Sequence, residues 1–235
     1  MEIVQFYCKD ARERFLQPES VDLFFSHPPY SVTDKSHYGG DLTLQLQNED
    51  TYGQYLDAYV ESLKHMEESL KYTGSAIIIL KNYEHSFDII AKIKEKTNFI
   101  ITKSLIWDYS ESDFLKNNKE RTGDEFAIML LLHKNYSIPR YENLDNFVIR
   151  LPWDTVKESA KEFEDIGYVA DCFPEALAEV IIKNYSAQGQ VVADIFGGTG
   201  TTAVVSLRMG RKAIYNDVSS DQFEIAKKRV SAIIN

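Results

Sequence analysis

The feature that most constrains the fold of this chain is the run Val191-Val192-Ala193-Asp194-Ile195-Phe196-Gly197-Gly198-Thr199-Gly200-Thr201-Thr202. Its apolar start reads as a short buried strand with Asp194 at its tip. A glycine loop follows, then a helix that begins near Thr201 and continues through Ala203-Val204-Val205-Ser206-Leu207-Arg208. Gly198 and Gly200 lack a Cβ, so they can take positive φ and let the backbone approach a ligand closely. The helix N-terminus offers unpaired N–H groups and the positive end of a dipole. Arg211-Lys212-Ala213-Ile214-Tyr215-Asn216 then reads as another strand, with Asp217 at its end. An acid there is well placed to bind the two hydroxyls of a ribose. The strand–loop–helix–strand–acid set is a nucleoside-binding half-site.

Gly198-x-Gly200-x-x-Ala203 also satisfies the dinucleotide fingerprint. Three features argue against a dinucleotide. The unit leaves too little chain after it for a second mononucleotide-binding half. Its loop carries Thr199, Thr201 and Thr202 with no evident pyrophosphate cradle, and a dehydrogenase gives no role to the proline pair described next. A P-loop is excluded because no Lys-Ser or Lys-Thr follows the glycines.

A second motif, Ser26-His27-Pro28-Pro29-Tyr30, directly follows the apolar run Val21-Asp22-Leu23-Phe24-Phe25. Two prolines have fixed φ and no N–H, so they cannot continue a central strand. The chain must leave the sheet there, with carbonyls turned into a cleft and an aromatic ring behind them. Such a corner suits a flat ring bearing an exocyclic amino group: the carbonyls around His27 and Pro28 accept from the amino hydrogens, and Tyr30 stacks on the ring.

Together the two motifs resemble the S-adenosylmethionine-dependent amino-methyltransferases that modify DNA at adenine N6 or cytosine N4. In that family a D-P-F-x-G-S-G-T-T loop binds the cofactor and a [DNS]-P-P-[YF] loop holds the target amino group. Here the cofactor loop is Asp194 to Thr202, the family's FP-x-x-L helix is Phe173-Pro174-Glu175-Ala176-Leu177, and its G-D-A-type segment is similar to Lys9-Asp10-Ala11. The target loop precedes the cofactor loop, the permuted order of the beta subgroup, and the likeness runs from Ile3 to about Arg229. The resemblance implies cofactor binding by Asp10, Ser26, Phe173, Pro174, Asp194, Phe196, Gly198, Gly200, Thr201, Thr202 and Asp217. It implies catalysis by His27, Pro28, Pro29 and Tyr30, on DNA, of the kind found in restriction-modification.

Two positions depart from the family pattern. His27 stands where Asp, Asn or Ser is usual, and Ile195 stands where proline is usual. Gly40-Asp41-Leu42-Thr43 resembles the G-D-L-S-like stretch of a branch with H-P-P-Y. A neutral imidazole offers one acceptor and one donor where a carboxylate offers only acceptors. Position 27 therefore leaves adenine and cytosine both open.

The resemblance implies a Rossmann-like methyltransferase sheet, mostly parallel with one antiparallel strand and helices on both faces. An α/β alternation along the chain agrees. Strands are expected at Ile3–Tyr7, Val21–Phe25, Ala76–Leu80, Phe99–Trp107 and Phe126–Leu132, the last two as an antiparallel pair ending the sheet. Helices are expected at Ala11–Leu16, Thr51–Lys71, Ser86–Lys96, Pro174–Tyr185 and Asp221–Ile233. In Thr51–Lys71 the tyrosines Tyr52, Tyr55 and Tyr59 recur with Leu56, Leu63, Met66 and Leu70 at helical spacing, so they belong to a core stripe. Residues 31–50, with Gly39-Gly40, read as a long active-site loop. The segment 134–172, about 40 residues, is too short for a full domain and is expected to serve target recognition. Residues 1–235 are expected to form one domain. The strands ending at His27 and Asp194 would lie side by side, so the two motifs meet outside the carboxyl ends of the sheet.

Composition bounds the rest. With 235 residues, 44% of them hydrophobic, the chain can bury a sizeable core. No segment approaches the ~20 apolar residues of a membrane span, and the start reads as a strand rather than a signal peptide, so a cytoplasmic setting is expected. Cys8 and Cys172 are the only cysteines and suggest a reducing compartment. The five histidines lack ligand spacing, so no metal is expected. His65 and His85 read as polar positions on the outer faces of helices. The net charge of −10 is unusual for a protein gripping duplex phosphates. Lys116, Lys119, Arg121, Lys134, Arg140 and Arg150 are the candidates for a basic cleft, while 157–165 is more acidic than basic. DNA affinity is therefore expected to be weak or helped by a protein partner or homodimer.

The chemistry follows from the amino nitrogen, whose lone pair is delocalised into the base. Acceptors at His27 and the Pro28 carbonyl favour a pyramidal nitrogen, and the two loops align it with the sulfonium methyl. The base must first leave the duplex stack, where Tyr30 replaces part of the lost stacking. Neither cysteine sits in a motif like that of the carbon-5 methyltransferases. An RNA amino-methyltransferase, or a cofactor-binding pseudoenzyme subunit of a modification complex, remain alternative readings.

Overall fold

A computed structural model describes residues 2–28, 52–81, 84–112, 125–136, 147–152 and 172–234. The expected loop 31–50, Pro29 and Tyr30, and most of 134–172 lie outside the described residues. Eight strands form one sheet: β1 (Val4–Tyr7), β2 (Val21–Ser26), β3 (Leu70–Lys81), β4 (Ile100–Asp108), β5 (Phe126–His133), β6 (Val148–Arg150), β7 (Val191–Asp194) and β8 (Lys212–Asn216). Their order is β1-β8-β7-β2-β3-β5-β4-β6. Every pairing is parallel except those of β5, which runs antiparallel to both β3 and β4. The helices are α1 (Tyr52–Ser69), α2 (Glu84–Lys96), α3 (Glu175–Tyr185), α4 (Thr201–Arg208) and α5 (Ser220–Ile234).

Successive strand residues point to opposite faces, and β2 is apolar on both. Phe24 joins the cluster under α1 and α2, with Tyr55, Leu63, Met66, Ile89 and Ile93. Leu23 and Phe25 join the opposite cluster, with Leu177, Ile181 and Val205 of α3 and α4. A third cluster packs α4 and α5 together through Ala203, Val204, Ala226 and Val230. A strand buried on both faces is the expected interior of a parallel sheet covered by helices. At the amino-terminal edge, Asp22 accepts from Lys71 Nζ at 2.8 Å and from the Val191 N–H at 2.9 Å, which ties β2 to β3 and β7 where those strands begin.

Four expectations are corrected. Residues 11–16 form turns rather than a helix. Asp10 Oδ1 takes the Arg12 N–H at 2.9 Å, and the Leu16 N–H goes to His65 Nε2 at 3.3 Å. Side chains there claim the donors a helix would need. His65 is accordingly not on an outer face but fully buried. Its Nε2 accepts from Leu16, so its Nδ1 carries the proton and donates to the Ala11 carbonyl at 3.1 Å. Burial lowers its pKa and keeps it neutral. The side chain of His85 lies outside the described residues.

Strand β3 begins at Leu70, well before Ala76, because Gly74 permits close passage: a Cβ there would meet the Asp22 carbonyl at 2.9 Å. Finally, the β4–β5 pair does not end the sheet, since β6 adds to β4 in parallel. That last strand is too short to announce itself by alternation.

Candidate functional site

The parallel strands β8, β7 and β2 deliver Asn216-Asp217, Asp194-Ile195 and Ser26-His27 to one edge of the sheet. Strand β1 brings Cys8 to Asp10 beside them, through the pairing of Tyr7 with Asn216. This is the carboxyl edge at which open α/β sheets bind ligands.

Asp194 organises the glycine loop from inside. Its Oδ1 accepts the Phe196 N–H at 3.0 Å and its Oδ2 accepts the Thr202 hydroxyl at 2.9 Å. Thr202 Oγ1 also lies 3.2 Å from the Phe25 carbonyl, which links α4 to the end of β2. Burial raises the Asp194 pKa to about 7, against the Ser26 hydroxyl, the Phe196 N–H and the Thr202 hydroxyl, which pull it down.

Asp217 works from the other side. Its Oδ2 accepts the Gly198 N–H at 2.8 Å and its Oδ1 the Ser219 N–H at 2.9 Å. It too is buried, and that lifts its pKa to about 6. A carboxylate has about four lone-pair sites, and with the Val218 N–H also bonded to it roughly one remains for a ligand. Asp10 stands nearby, but Arg12 grips it in a side-chain pair with Nη2 to Oδ2 at 2.8 Å.

The glycines divide their work. Gly198 has φ +51 and a Cβ built on it would meet nothing within 4 Å, so it faces open space. Gly200, at φ +86, would place a Cβ 2.8 Å from that of Ala226 on α5. The close approach at Gly200 is therefore to a helix. Gly197 lies against the Tyr215 ring, which would be 2.4 Å from an added Cβ. Phe196 is half-buried, whereas Thr201 and Thr202 are buried, and their hydroxyls bond inside the protein.

On the β2 side, Ser26 is fully buried, His27 half-buried and Pro28 buried. Phe173 packs on Phe25 with ring centroids 4.9 Å apart and meets the His27 ring edge-on at 6.1 Å. Pro174, the N-cap of α3, has φ −62 and starts that helix without a side-chain cap. The motifs around Phe173, His27 and the glycine loop thus converge from distant parts of the chain.

Three polar residues that the sequence reading passed over hold this edge together. The Asn216 side chain donates to the Ile195 and Lys9 carbonyls, both at 3.0 Å, and accepts the Lys9 N–H at 3.0 Å. Arg229 of α5 donates to the Thr199 carbonyl at 2.9 Å and to Glu175 Oε1 at 2.7 Å. Glu175 also pairs with Arg208. The signal for Arg229 was its place on the buried stripe Ile225, Ala226, Arg229, Val230 of α5.

Of the basic residues considered for a cleft, only Lys134 and Arg150 are described. Lys134 follows His133, which pairs with Ile100 at the start of β4, so it lies at the opposite edge of the sheet, 3.8 Å from Glu19. Arg150 is on the site's edge, where its exposed side chain lies 3.4 Å from Asp108. Among the described residues no group of three or more His, Cys, Asp or Glu could hold a metal ion. No described helix is long and apolar enough to cross a membrane.

Residues 21–228 match the family described as DNA methylase. A type II methyltransferase of Streptococcus pneumoniae, M2.DpnII, is 24% identical over 238 residues, spanning 92% of this chain and 85% of the relative. The fold is similar to that of the PvuII DNA methyltransferase (cytosine-N4-specific), with a TM-score of 0.75, 18% identity, and coverage of 98% and 90% of the two chains. It is also similar to an M1.HpyAVI–SAM complex, with a TM-score of 0.64, 20% identity and coverage of 97% and 98%.

Proposed function

The chain belongs to the DNA methylase family, and from that premise we propose that it transfers a methyl group from S-adenosylmethionine to the exocyclic amino group of a DNA base, adenine N6 or cytosine N4, flipped out of the duplex. The observation that carries this reading is the hydrogen-bonded pairing of β2 with β7, which sets the His27-Pro28 corner beside the glycine loop on one edge. Cofactor and target therefore share a cleft although their motifs are far apart in sequence.

The residues present fit the cofactor. Open space at Gly198 gives room for a ligand against the backbone, and Asp217 keeps acceptor capacity for ribose hydroxyls. Phe196 supplies apolar surface next to them, with Asp10 at the rim, Ser26 beneath the surface at the end of β2, and Phe173 and Pro174 on the far wall. When bound, S-adenosylmethionine supplies a methyl group activated by its sulfonium.

The protein's part is orientation. The His27 imidazole and the Pro28 carbonyl accept from the amino hydrogens, which frees the nitrogen lone pair from the ring. Pro28 and Pro29 stiffen the corner, and Tyr30 stacks on the flipped base in place of its lost neighbours. Aligning two reactants in this way contributes several kcal/mol, roughly 7 or more in well-oriented cases. Arg150 at the cleft's edge is a phosphate contact, and recognition of a specific sequence falls to 134–172. Like the type II methyltransferase it resembles, the enzyme is proposed to act at a defined site, in the manner of restriction-modification.

The test is transfer of label from methyl-labelled S-adenosylmethionine to genomic DNA and, separately, to total RNA. Label in DNA is expected. Label in RNA alone would make the substrate RNA, and cofactor binding without any transfer would make the chain a pseudoenzyme subunit.

A further inference from the structure

Arg229 lies on the last helix, yet its guanidinium touches both the glycine loop and Glu175, beside the Phe173-Pro174 segment. On one side Nη1 donates to the Thr199 carbonyl at 2.9 Å, with the Thr199 and Thr201 hydroxyls both at 3.3 Å. Those atoms belong to the glycine loop and the first residue of α4. On the other side Nη2 donates to Glu175 Oε1 at 2.7 Å. Glu175 directly follows Phe173-Pro174, the segment whose aromatic ring meets His27.

The pair is well ordered by burial: the Arg229 side chain is 6% exposed and that of Glu175 18%. One turn before Arg229, Ala226 fills the space against Gly200 where a Cβ would collide. The helix thus presses on the loop at Gly200 and grips it at Thr199. A guanidinium has five donors in a rigid planar fork, so it can bond two partners in fixed relative positions, which an ammonium cannot.

From this geometry we infer that Arg229 is a positioning residue that, together with Glu175, fixes the glycine loop against the Phe173-Pro174 segment, whose ring meets His27. The inference rests on the methyltransferase reading. Neither side chain touches the reacting atoms. Their effect is on alignment, and transfer is sensitive to alignment. The two contacts are separable. Cutting at Glu175 releases the Phe173-Pro174 segment from Arg229 and Arg208 while the Thr199 contact stays, whereas cutting at Arg229 releases the glycine loop and leaves Glu175 paired with Arg208.

The experiment compares wild type, Glu175→Ala, Arg229→Gln, Arg229→Lys and the double variant Glu175→Ala/Arg229→Gln. Cofactor affinity is read by calorimetry and kcat at saturating S-adenosylmethionine on methylatable duplex DNA. Lys227→Gln, on the exposed face of the same helix, is the control with unchanged kcat. Glu175→Ala is expected to lower kcat at saturating cofactor by about ten-fold or more, the scale of one charged hydrogen bond, with a smaller loss of cofactor affinity. Arg229→Gln is expected to lose about ten-fold or more in both, with partial recovery in Arg229→Lys. The double variant should lose less in kcat than the product of the two single losses, because each single change already breaks the Arg229–Glu175 bond.

Folded variants that keep wild-type kcat and affinity, with only a lower melting temperature, would overturn the inference. So would additive losses in the double variant. If Arg229→Gln fails to fold, Arg229→Lys and Glu175→Ala decide between the same outcomes. A wild-type protein that transfers no methyl group would instead overturn the methyltransferase reading.

Discussion

The Asp217 carboxylate takes the N–H of Gly198 at 2.8 Å, joining the end of β8 to the one glycine of the loop that faces open space. That bond holds a residue of positive φ in place, at a position where an added Cβ would meet nothing within 4 Å. It makes Gly198 and Asp217 a single element of the cofactor site, and it separates their consequences from those of the other glycines.

Gly198→Val is expected to abolish S-adenosylmethionine binding while the protein still folds. The added side chain enters free space, and the cost to the fold is the left-handed backbone strain, about 1–2 kcal/mol. Gly200→Ala is expected to behave in the opposite sense, losing stability because its Cβ meets Ala226. Calorimetry and thermal melts on both variants check this. Undiminished affinity in Gly198→Val would remove the glycine loop from the cofactor site.

Asp217→Ala should weaken cofactor binding by about 1–3 kcal/mol, the cost of leaving buried hydrogen-bonding groups unpaired. Titration calorimetry measures it directly. An unchanged affinity would move the ribose contact to another residue.

The same carboxylates predict an unusual pH response. Burial raises Asp194 to about 7 and Asp217 to about 6, both above the ordinary carboxylate value of 3.8. A raised folded pKa means the contribution of each group to stability is complete below its unfolded pKa. It is lost as pH rises through the folded value. The cofactor-free protein should therefore gain stability from these groups as pH falls from about 8 to about 4. Asp194→Asn should flatten that rise. Thermal melts that show the same pH slope in wild type and variant would contradict it.

How much of this was readable in advance follows from where each partner lies. The Asp194-to-Asp217 unit is local: strand, loop and helix follow one another, and the positive φ of Gly198 and Gly200 is what such a turn demands. The pairing of β2 with β7 was legible because parallel neighbours in an open sheet present the same edge. Asn216 and Arg229 were not, because their bonds run to Lys9 and Thr199, and a polar residue in an apolar stripe does not name its distant partner. The turns at 11–16 are hidden from the sequence for a related reason. Nothing local shows that His65 will claim the Leu16 N–H. Lys134 carried the right charge for DNA, but only the antiparallel course of β5 shows that it lies at the wrong edge.

His27 carries the target-side assignment. His27→Ala should lower turnover far more than cofactor affinity, since its contact forms only with the flipped base. His27→Asp should keep activity, because a carboxylate also accepts from an amino group. Steady-state rates, alongside calorimetry, test both. A wild-type rate in His27→Ala would leave the Pro28 carbonyl and Tyr30 as the base-holding groups.

The central claim is that the methyl group arrives on an exocyclic nitrogen of a DNA base. Nucleoside mass spectrometry of DNA incubated with the protein and labelled S-adenosylmethionine tests it most directly. The account predicts labelled N6-methyladenine or N4-methylcytosine, abolished in Gly198→Val and sharply reduced in His27→Ala. Label recovered as 5-methylcytosine, or in the His27→Ala and Tyr30→Ala variants at the wild-type rate, would contradict it.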